Sequence, residues 1–588
     1  MVVPFAVFRA LVPLVVFAAA ATAQEPIETD PKAVHLDRLC VKLAEGSGAE
    51  WRNGMLVSRT GADLSAIAAM FDRVTAGPLV DTVAWDELDR WHQTACSVLP
   101  PHNRPGHLGL WFRLQGKQET IAQLREDLPK HPLVVHLHHE PRYALASAVP
   151  PAPVPPALPG GDVPPTTPLL TSLQGTHNPN PQGHGARTAA GILGARGRGV
   201  RFVMLEASWL LGHEDVCQLV ASHFIGPVAT PDPSSMQHGC SGASMVCATR
   251  NAYGLTGLAD EVDARFISIP LVGSFESSLA LALTQTQPGD VVLAVFIVQV
   301  PTLGPNSWVP FEYFQSAFDA TLTATALGRH VVVPGGNGNI SLDDPALLNR
   351  FDRSFRDSGA VIVGASLPGP LQKIGFSNWG SRIDAHSWGD GVASCGYPGS
   401  FFPNNDLLQS YTYGAVGTSA STPQLAGVVC MIQGAARRQL GHALTNQQLL
   451  NYLHTYGANT PDVIGRRPDV DAILVAMGAV DGLRIDQPDF DLLDTMTLTM
   501  DGAPGSLSAL FAAFADGDVG LGFNRNIHLD LGGIVPVGGF FLPGGTATWT
   551  LQVPNDPTLH GVSLYFQAVR LTGTNPLHVT NSCQATVR

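Results

Sequence analysis

The 588-residue sequence predicts an α/β fold, a parallel sheet sandwiched by helices, with a small α+β domain before it and an all-β domain after it. Three observations carry this reading. Between residues 171 and 480, continuous apolar runs of strand length alternate with helical stretches, the pattern of strands covered on both faces. Ahead of them, residues 24–145 alternate strand and amphipathic helix within a much shorter span. Behind them, residues 481–588 turn to Gly-, Thr- and Asp-rich turns between short alternating strands. Hydrophobic residues make up 45% of the chain and charged ones 14%, enough apolar material for a large core and too little charge for wholesale disorder.

Taken in order, residues 1–23 are apolar from Ala10 to Ala21, carry one charge at Arg9 and end in Ala21-Thr22-Ala23. That is the composition of a secretory signal peptide removed before Gln24. The apolar run falls short of the roughly 20 residues that span a bilayer. An exported, extracellular bacterial protein without a stable membrane span is expected. In 24–145, LCVKLAEG (39–46), LGLWFRLQ (108–115) and PLVVHLHHE (132–140) read as strands, and DLSAIAAMFDRV (63–74) and ETIAQLREDL (119–128) as helices. Residues 146–170 hold VPPAPVPPALPGGDVPPTTP, too proline-rich for a core and suited to an extended tether.

The 171–480 region offers VRFVMLE (200–206), ARFISIPLV (264–272), DVVLAVFIVQV (290–300), RHVVVPGG (329–336) and AVIVGAS (360–366) as strands. The tail contributes GTATWTLQVP (545–554) and SLYFQAVRL (563–571). Net charge is −14 with no Lys/Arg cluster, which argues against nucleic acid as a partner. The eight cysteines allow about 105 full pairings, and the sequence does not choose among them. Cys240 and Cys247, if on one helix, are separated by roughly 10 Å and cannot bridge.

Chemistry concentrates in four stretches. In GTSASTPQLAGVVCMIQGA (417–435), Ser419 opens a run of small and apolar residues that can be a helix. A serine there can present its hydroxyl beside backbone N–H groups able to hold an oxyanion, although N-cap serines are common in any protein. Two stretches, HGARTAAGILGA (184–195) and HGCSGASMVCAT (238–249), each offer a histidine as general base. VVVPGGNGN (331–339) ends a strand in glycines and Asn337, an amide donor or a plain turn residue. His-Glu-x-x-His zinc chemistry fails because Cys217 stands at the second ligand position of HEDVC. No Gly-x-Ser-x-Gly elbow occurs.

Gly417, Thr418, Ser419 and Pro423 resemble the nucleophile motif of the subtilisin-like serine peptidases, whose triad runs acid, histidine, serine along the chain. His238, followed by the GLTGLA loop and a strand, matches the family's histidine segment. His184 precedes the first core strand and fails the order. GRGVRFVMLEASWLLGHEDV resembles that first strand, with Glu206 where most members have aspartate. Glu206, Trp209 and His213–Asp215 resemble a branch with glutamate at this place, and Asp215 is the rival acid.

Asn337 matches the family's oxyanion donor, and FSNWGSRID (376–384) is also similar. The resemblance implies a secreted serine endopeptidase acting through a Ser-His-Glu triad and made as a zymogen. Protein or peptide substrates and the chain's own propeptide, as inhibitor, are the implied partners, with no cofactor. Structural calcium is common in the family, but no dedicated loop for it is identifiable. LAVFIVQVPT departs from the family's Ser-Leu-Gly-like substrate strand. A catalytically silent binding or adhesion protein on the same scaffold is the alternative.

Overall fold

A computed structural model describes residues 28–145, 167–228, 232–233, 235–369, 371–520, 524–571 and 577–588. The expected signal segment 1–23 and residues 146–166 of the tether lie outside the described residues.

The N-terminal unit runs β1 (Val34–Leu43), α1 (Ser65–Phe71), β2 (Thr75–Pro78), α2 (Trp85–Val98), β3 (Trp111–Gln115), α3 (Gln118–Asp127), β4 (Val134–Pro141) and β5 (Ala144–Leu145). Its sheet has the order β2-β3-β1-β4, with β1 antiparallel to both neighbours. Alternate residues Leu39, Val41 and Leu43 of β1 meet Ile121 and Leu124 of α3 in one core. Their spacings of two and three are what a strand and a helix need to present one apolar face each.

The central sheet contains β6 (Arg201–Glu206), β7 (Asp263–Ser268), β8 (Val291–Ala294), β11 (His330–Pro334), β12 (Val361–Ser366) and β13 (Ala385–Trp388). Its order is β13-β12-β11-β8-β6-β7, all parallel. Phe202, Val203, Met204 and Leu205 are wholly buried, because helices cover both faces. Those helices include α4 (Met236–Cys247), α5 (Phe275–Thr284), α6 (Gln315–Ala326) and α7 (Thr418–Ala435). Every residue of α7 is buried, as expected for a helix that is small and apolar all round.

The run 290–300 is not one strand. After Ala294 the chain leaves the parallel sheet, and β9 (Phe296–Gln299) pairs antiparallel with β10 (Trp308–Pro310) and with β5 of the N-terminal unit. The expected strand 264–272 likewise stops at Ser268, where Pro270 opens a single helical turn.

The all-β region packs a three-stranded sheet, β14 (Leu483–Ile485), β16 (Thr495–Asp501) and β19 (Thr546–Gln552), against a five-stranded one. The larger sheet has the order β15 (Asp489–Phe490), β21 (His578–Val587), β20 (Ser563–Leu571), β17 (Ser506–Ala513) and β18 (Val535–Leu542). Its interior is continuous with the core beneath the parallel sheet, since Phe566, Cys583 and Ala585 join the same apolar cluster as Met204, Val246 and Ile432. Among the described residues no helix is long and apolar enough to cross a membrane.

Candidate active site

The strand order puts a topological switch at β6. The chain passes from β6 through α4 to β7 on one side, then crosses to β8 on the other. In an open α/β sheet the crevice at the carboxyl ends beside such a switch is where ligands bind. Glu206 is the last residue of β6 and is wholly buried. His238 lies in the first turn of α4. Its Nδ1 donates to Glu206 Oε2 at 2.6 Å, while Glu206 Oε1 accepts from the backbone N–H of Ala207, also at 2.6 Å. A proton shared with the carboxylate at Nδ1 leaves Nε2 as the basic nitrogen. The glycine of the His-Gly pair follows from packing: a Cβ on Gly239 would fall 2.3 Å from the carbonyl oxygen of Ser208 and 3.0 Å from Glu206 Cγ.

Ser419 is the second residue of α7, behind Gly417, whose φ of 112° suits glycine. Helices α4 and α7 pack side by side, with Pro423 Cγ 3.6 Å from the Cβ position of Gly242. Both helices start at the carboxyl edge of the sheet. One turn back from that contact on each helix are His238 and Ser419. Ser419 is 6% exposed. The hydrogen bond between them is not formed: His238 Nε2 is buried without a partner.

Asn337 follows β11 on a glycine loop. Gly336 sits at φ 101°, and a Cβ there would lie 2.3 Å from the Trp308 carbonyl oxygen. Asn337 Oδ1 accepts from the backbone N–H of Thr418 at 3.0 Å and from Thr418 Oγ1 at 2.9 Å. This pins the amide beside Ser419. The loop is held from below by Asn378, wholly buried, which donates to the carbonyls of Trp308 (2.6 Å) and Gly335 (2.8 Å) and accepts from the N–H groups of Gly338 and Ile340. The sequence singled out the FSNWGSRID stretch without marking this asparagine within it, because its partners lie far off along the chain.

The rival residues are elsewhere engaged. Asp215 Oδ1 accepts from Asn251 Nδ2 at 2.9 Å and Oδ2 from the Leu255 N–H at 2.6 Å, so the carboxylate ties down the loop after α4. Burial pushes its pKa up to about 7. His184 is wholly buried, with Nδ1 on the Pro468 carbonyl at 3.0 Å and Nε2 on Ser387 Oγ at 2.8 Å. Its stretch forms only one helical turn, Ala186–Ala189, before Ile192 pairs with Cys583 of β21. The eight cysteines are all unpaired. Among the described residues no group of three or more His, Cys, Asp or Glu is placed to hold a metal ion.

The N-terminal unit covers α5 and α6. Trp111 Nε1 donates to Asp319 Oδ2 at 3.0 Å, Arg113 Nη2 to the Gly273 carbonyl at 2.8 Å, and Ser277 Oγ to Asp81 Oδ1 at 2.8 Å. Its tail, β5, ends as an added strand on β9, with Leu145 opposite Phe296 and Ala144 opposite Ile297.

No protein-family model matches the chain. An extracellular protease of Xanthomonas campestris pv. campestris is 27% identical over 237 residues, which span 38% of this chain and 37% of that protein. Fervidolysin from Fervidobacterium pennivorans, a keratinolytic enzyme related to subtilisin, aligns over 95% of this chain and 78% of its own with a TM-score of 0.46 and 12% identity. A serine protease of Aeromonas sobria aligns over 74% of this chain and 99% of its own, with a TM-score of 0.39 and 15% identity.

Proposed function

We propose that the protein is an exported serine endopeptidase of the subtilisin-like type, made as a zymogen and acting on protein or peptide substrates. The carrying observation is the Glu206–His238 hydrogen bond at the crevice where α7 presents Ser419. Ser419 Oγ attacks the scissile carbonyl carbon while His238 Nε2 takes its proton. Glu206 keeps the ring in the Nδ1–H tautomer and stabilises the imidazolium. Asn337 Nδ2 and the Ser419 N–H receive the oxyanion as it develops. Collapse expels the amine, which takes the proton back from His238. Water, deprotonated by the same nitrogen, then releases the acid.

No step in this sequence calls for a cofactor. The strand pairing of β5 on β9 supports the N-terminal unit as an inhibitor, because β9 continues from the carboxyl end of β8, the same end of the sheet at which Glu206 meets His238. Export rests on the composition of residues 1–23 and on the extracellular protease relative.

One observation favours the silent-scaffold alternative: His238 Nε2 has no partner, so the serine is not yet engaged. Labelling of the processed chain with a fluorophosphonate separates the two readings. Attachment to Ser419, absent in Ser419→Ala and in His238→Ala, is the expected result. Complete inertness of the folded, processed chain would refute catalysis.

A further inference from the structure

The loop that carries Asn337 has little regular support. Strand β11 ends at Pro334, and the backbone then enters the left-handed region at Gly336 (φ 101°) and again at Asn339 (φ 53°). Asn378 holds the base of the loop, and the Asn339 N–H donates to the Phe376 carbonyl at 2.8 Å. The side chain of Asn339, at the exposed tip, is met by Lys373.

Lys373 stands just beyond β12, where its own backbone is fixed. It faces Ser366 in an antiparallel bridge, and its N–H donates to Asp462 Oδ2 at 2.6 Å. An ammonium has three protons to give and accepts none. Here they go to Asn339 Oδ1 at 2.7 Å, to the Ser377 carbonyl at 3.1 Å and, more weakly, to the Ile374 carbonyl at 3.4 Å. None of these acceptors is a carboxylate, so at these contacts the charge aligns dipoles rather than balancing an anion. Hydrogen bonds from a charged donor are roughly twice as strong as neutral ones. The ammonium thus cross-links two segments, the glycine loop and the stretch that leads into Asn378. The cross-link falls two residues from Asn337.

We propose that Lys373 is a positioning residue, whose ammonium fixes the tip of the glycine loop so that the Asn337 amide is already in place when the oxyanion forms. The inference rests on the peptidase reading and adds a residue to it. An oxyanion donor is valuable because it costs no reorganisation at the moment of reaction. Asn337 is tied on one side to α7 through Thr418 and follows directly from the end of β11. The Lys373–Asn339 contact holds the loop on its outer side, where neither of those ties reaches.

The test is a double-mutant cycle in the processed full chain, reading kcat and KM on a peptide amide after fluorophosphonate labelling of the parent. Lys373→Met keeps the stem and removes the ammonium; kcat should fall about tenfold with KM within about twofold. In the Asn337→Ala background the same substitution should cost under about twofold, because the group it positions is gone. Asn339→Gly suits the backbone at φ 53° and leaves Lys373 in place. It should reproduce the loss, add nothing when combined with Lys373→Met, and report on the same tie if Lys373→Met folds poorly. Thermal unfolding of each variant reads stability separately. A loss that persists undiminished in Asn337→Ala, a loss that appears in KM instead of kcat, or an unchanged kcat in both variants overturns the proposal. A parent chain that takes no label overturns the peptidase reading and this inference with it, whereas a labelled parent with additive losses overturns this inference alone.

Discussion

Asn337 and Thr418 are joined twice, through the backbone N–H and the hydroxyl of Thr418, both onto Oδ1 of the asparagine. The carbonyl end of the amide is thereby fixed to the first turn of the helix. Asn337→Ala is expected to lower kcat by about 10²–10³ with little change in KM, the signature of a donor used in the transition state. Thr418→Val removes one of the two ties and should cost far less, about tenfold or under. Steady-state hydrolysis of a peptide amide measures both.

Glu206→Gln keeps the size of the side chain but not the charge that supports an imidazolium. The rate should drop by orders of magnitude, up to about 10⁴ as in a comparable triad, with circular dichroism unchanged. Asp215→Asn should instead loosen the loop 251–255 that the carboxylate holds and leave most of the chemistry. An inactive, well-folded Asp215→Asn beside an active Glu206→Gln would reverse the assignment of the acid.

The raised pKa of Asp215 makes a separate demand on stability. The folded form holds its proton up to about pH 7, whereas the unfolded chain releases it near 3.8. Between those values the folded state binds more protons, so this group's contribution to stability falls as pH rises, and it levels off above about 7. Melting temperatures across pH 4–8 should show a shallower decline in Asp215→Asn than in the parent chain.

The position of β5 bears on maturation of the proposed zymogen. If the N-terminal unit blocks the crevice and is tethered there, its release depends on the serine it blocks. Ser419→Ala should accumulate as the longer chain after export, visible as one heavier band. Normal maturation of the purified variant would assign the cut to another protease.

Cys240 lies two residues beyond His238, unpaired and wholly buried, with its thiol pushed far above its ordinary pKa by burial. A Cβ on Gly396 would come within 3.1 Å of its sulfur, so no bulky adduct fits without shifting α4. A mercurial should therefore inactivate slowly and completely, and Cys240→Thr should resist. Equal sensitivity of that variant would move the target elsewhere.

Most of the parallel sheet was legible because burial on both faces writes strands as unbroken apolar runs, as in Arg201–Glu206. The same feature hid the break at Val295. A strand changing partners from a parallel sheet to an antiparallel hairpin stays apolar throughout, and nothing in DVVLAVFIVQV marks the change. Helix α2 went unread because polar and charged residues together outnumber its apolar ones, and only Leu88, Trp91 and Ala95 turn inward.

Glu206, His238, Asn337 and Ser419 were singled out by local motifs in chain order, and the structure joins Glu206 to His238 and Asn337 to the first turn of the helix that carries Ser419. Asn378 acts through contacts with residues 335–340 and Trp308, distant in sequence, which no local pattern records. The two His-Gly pairs looked alike for the same reason. Gly239 clears the Ser208 carbonyl beside Glu206, whereas the stretch after His184 feeds β21.

That last pairing has a consequence for how the molecule comes into being. Leu193 N–H donates to the Ser582 carbonyl at 3.0 Å, and Gln584 N–H to the Gly191 carbonyl at 2.9 Å, so a segment ahead of β6 waits for a strand made hundreds of residues later. A ribosome delivering this chain from its N-terminus finishes Glu206, His238, Asn337 and Ser419 long before that partner exists. The apolar cluster beneath the sheet stays open to water until residues 578–587 arrive. A nonsense mutation early in the all-β region should therefore yield material that the cell degrades rather than a stable, shortened chain.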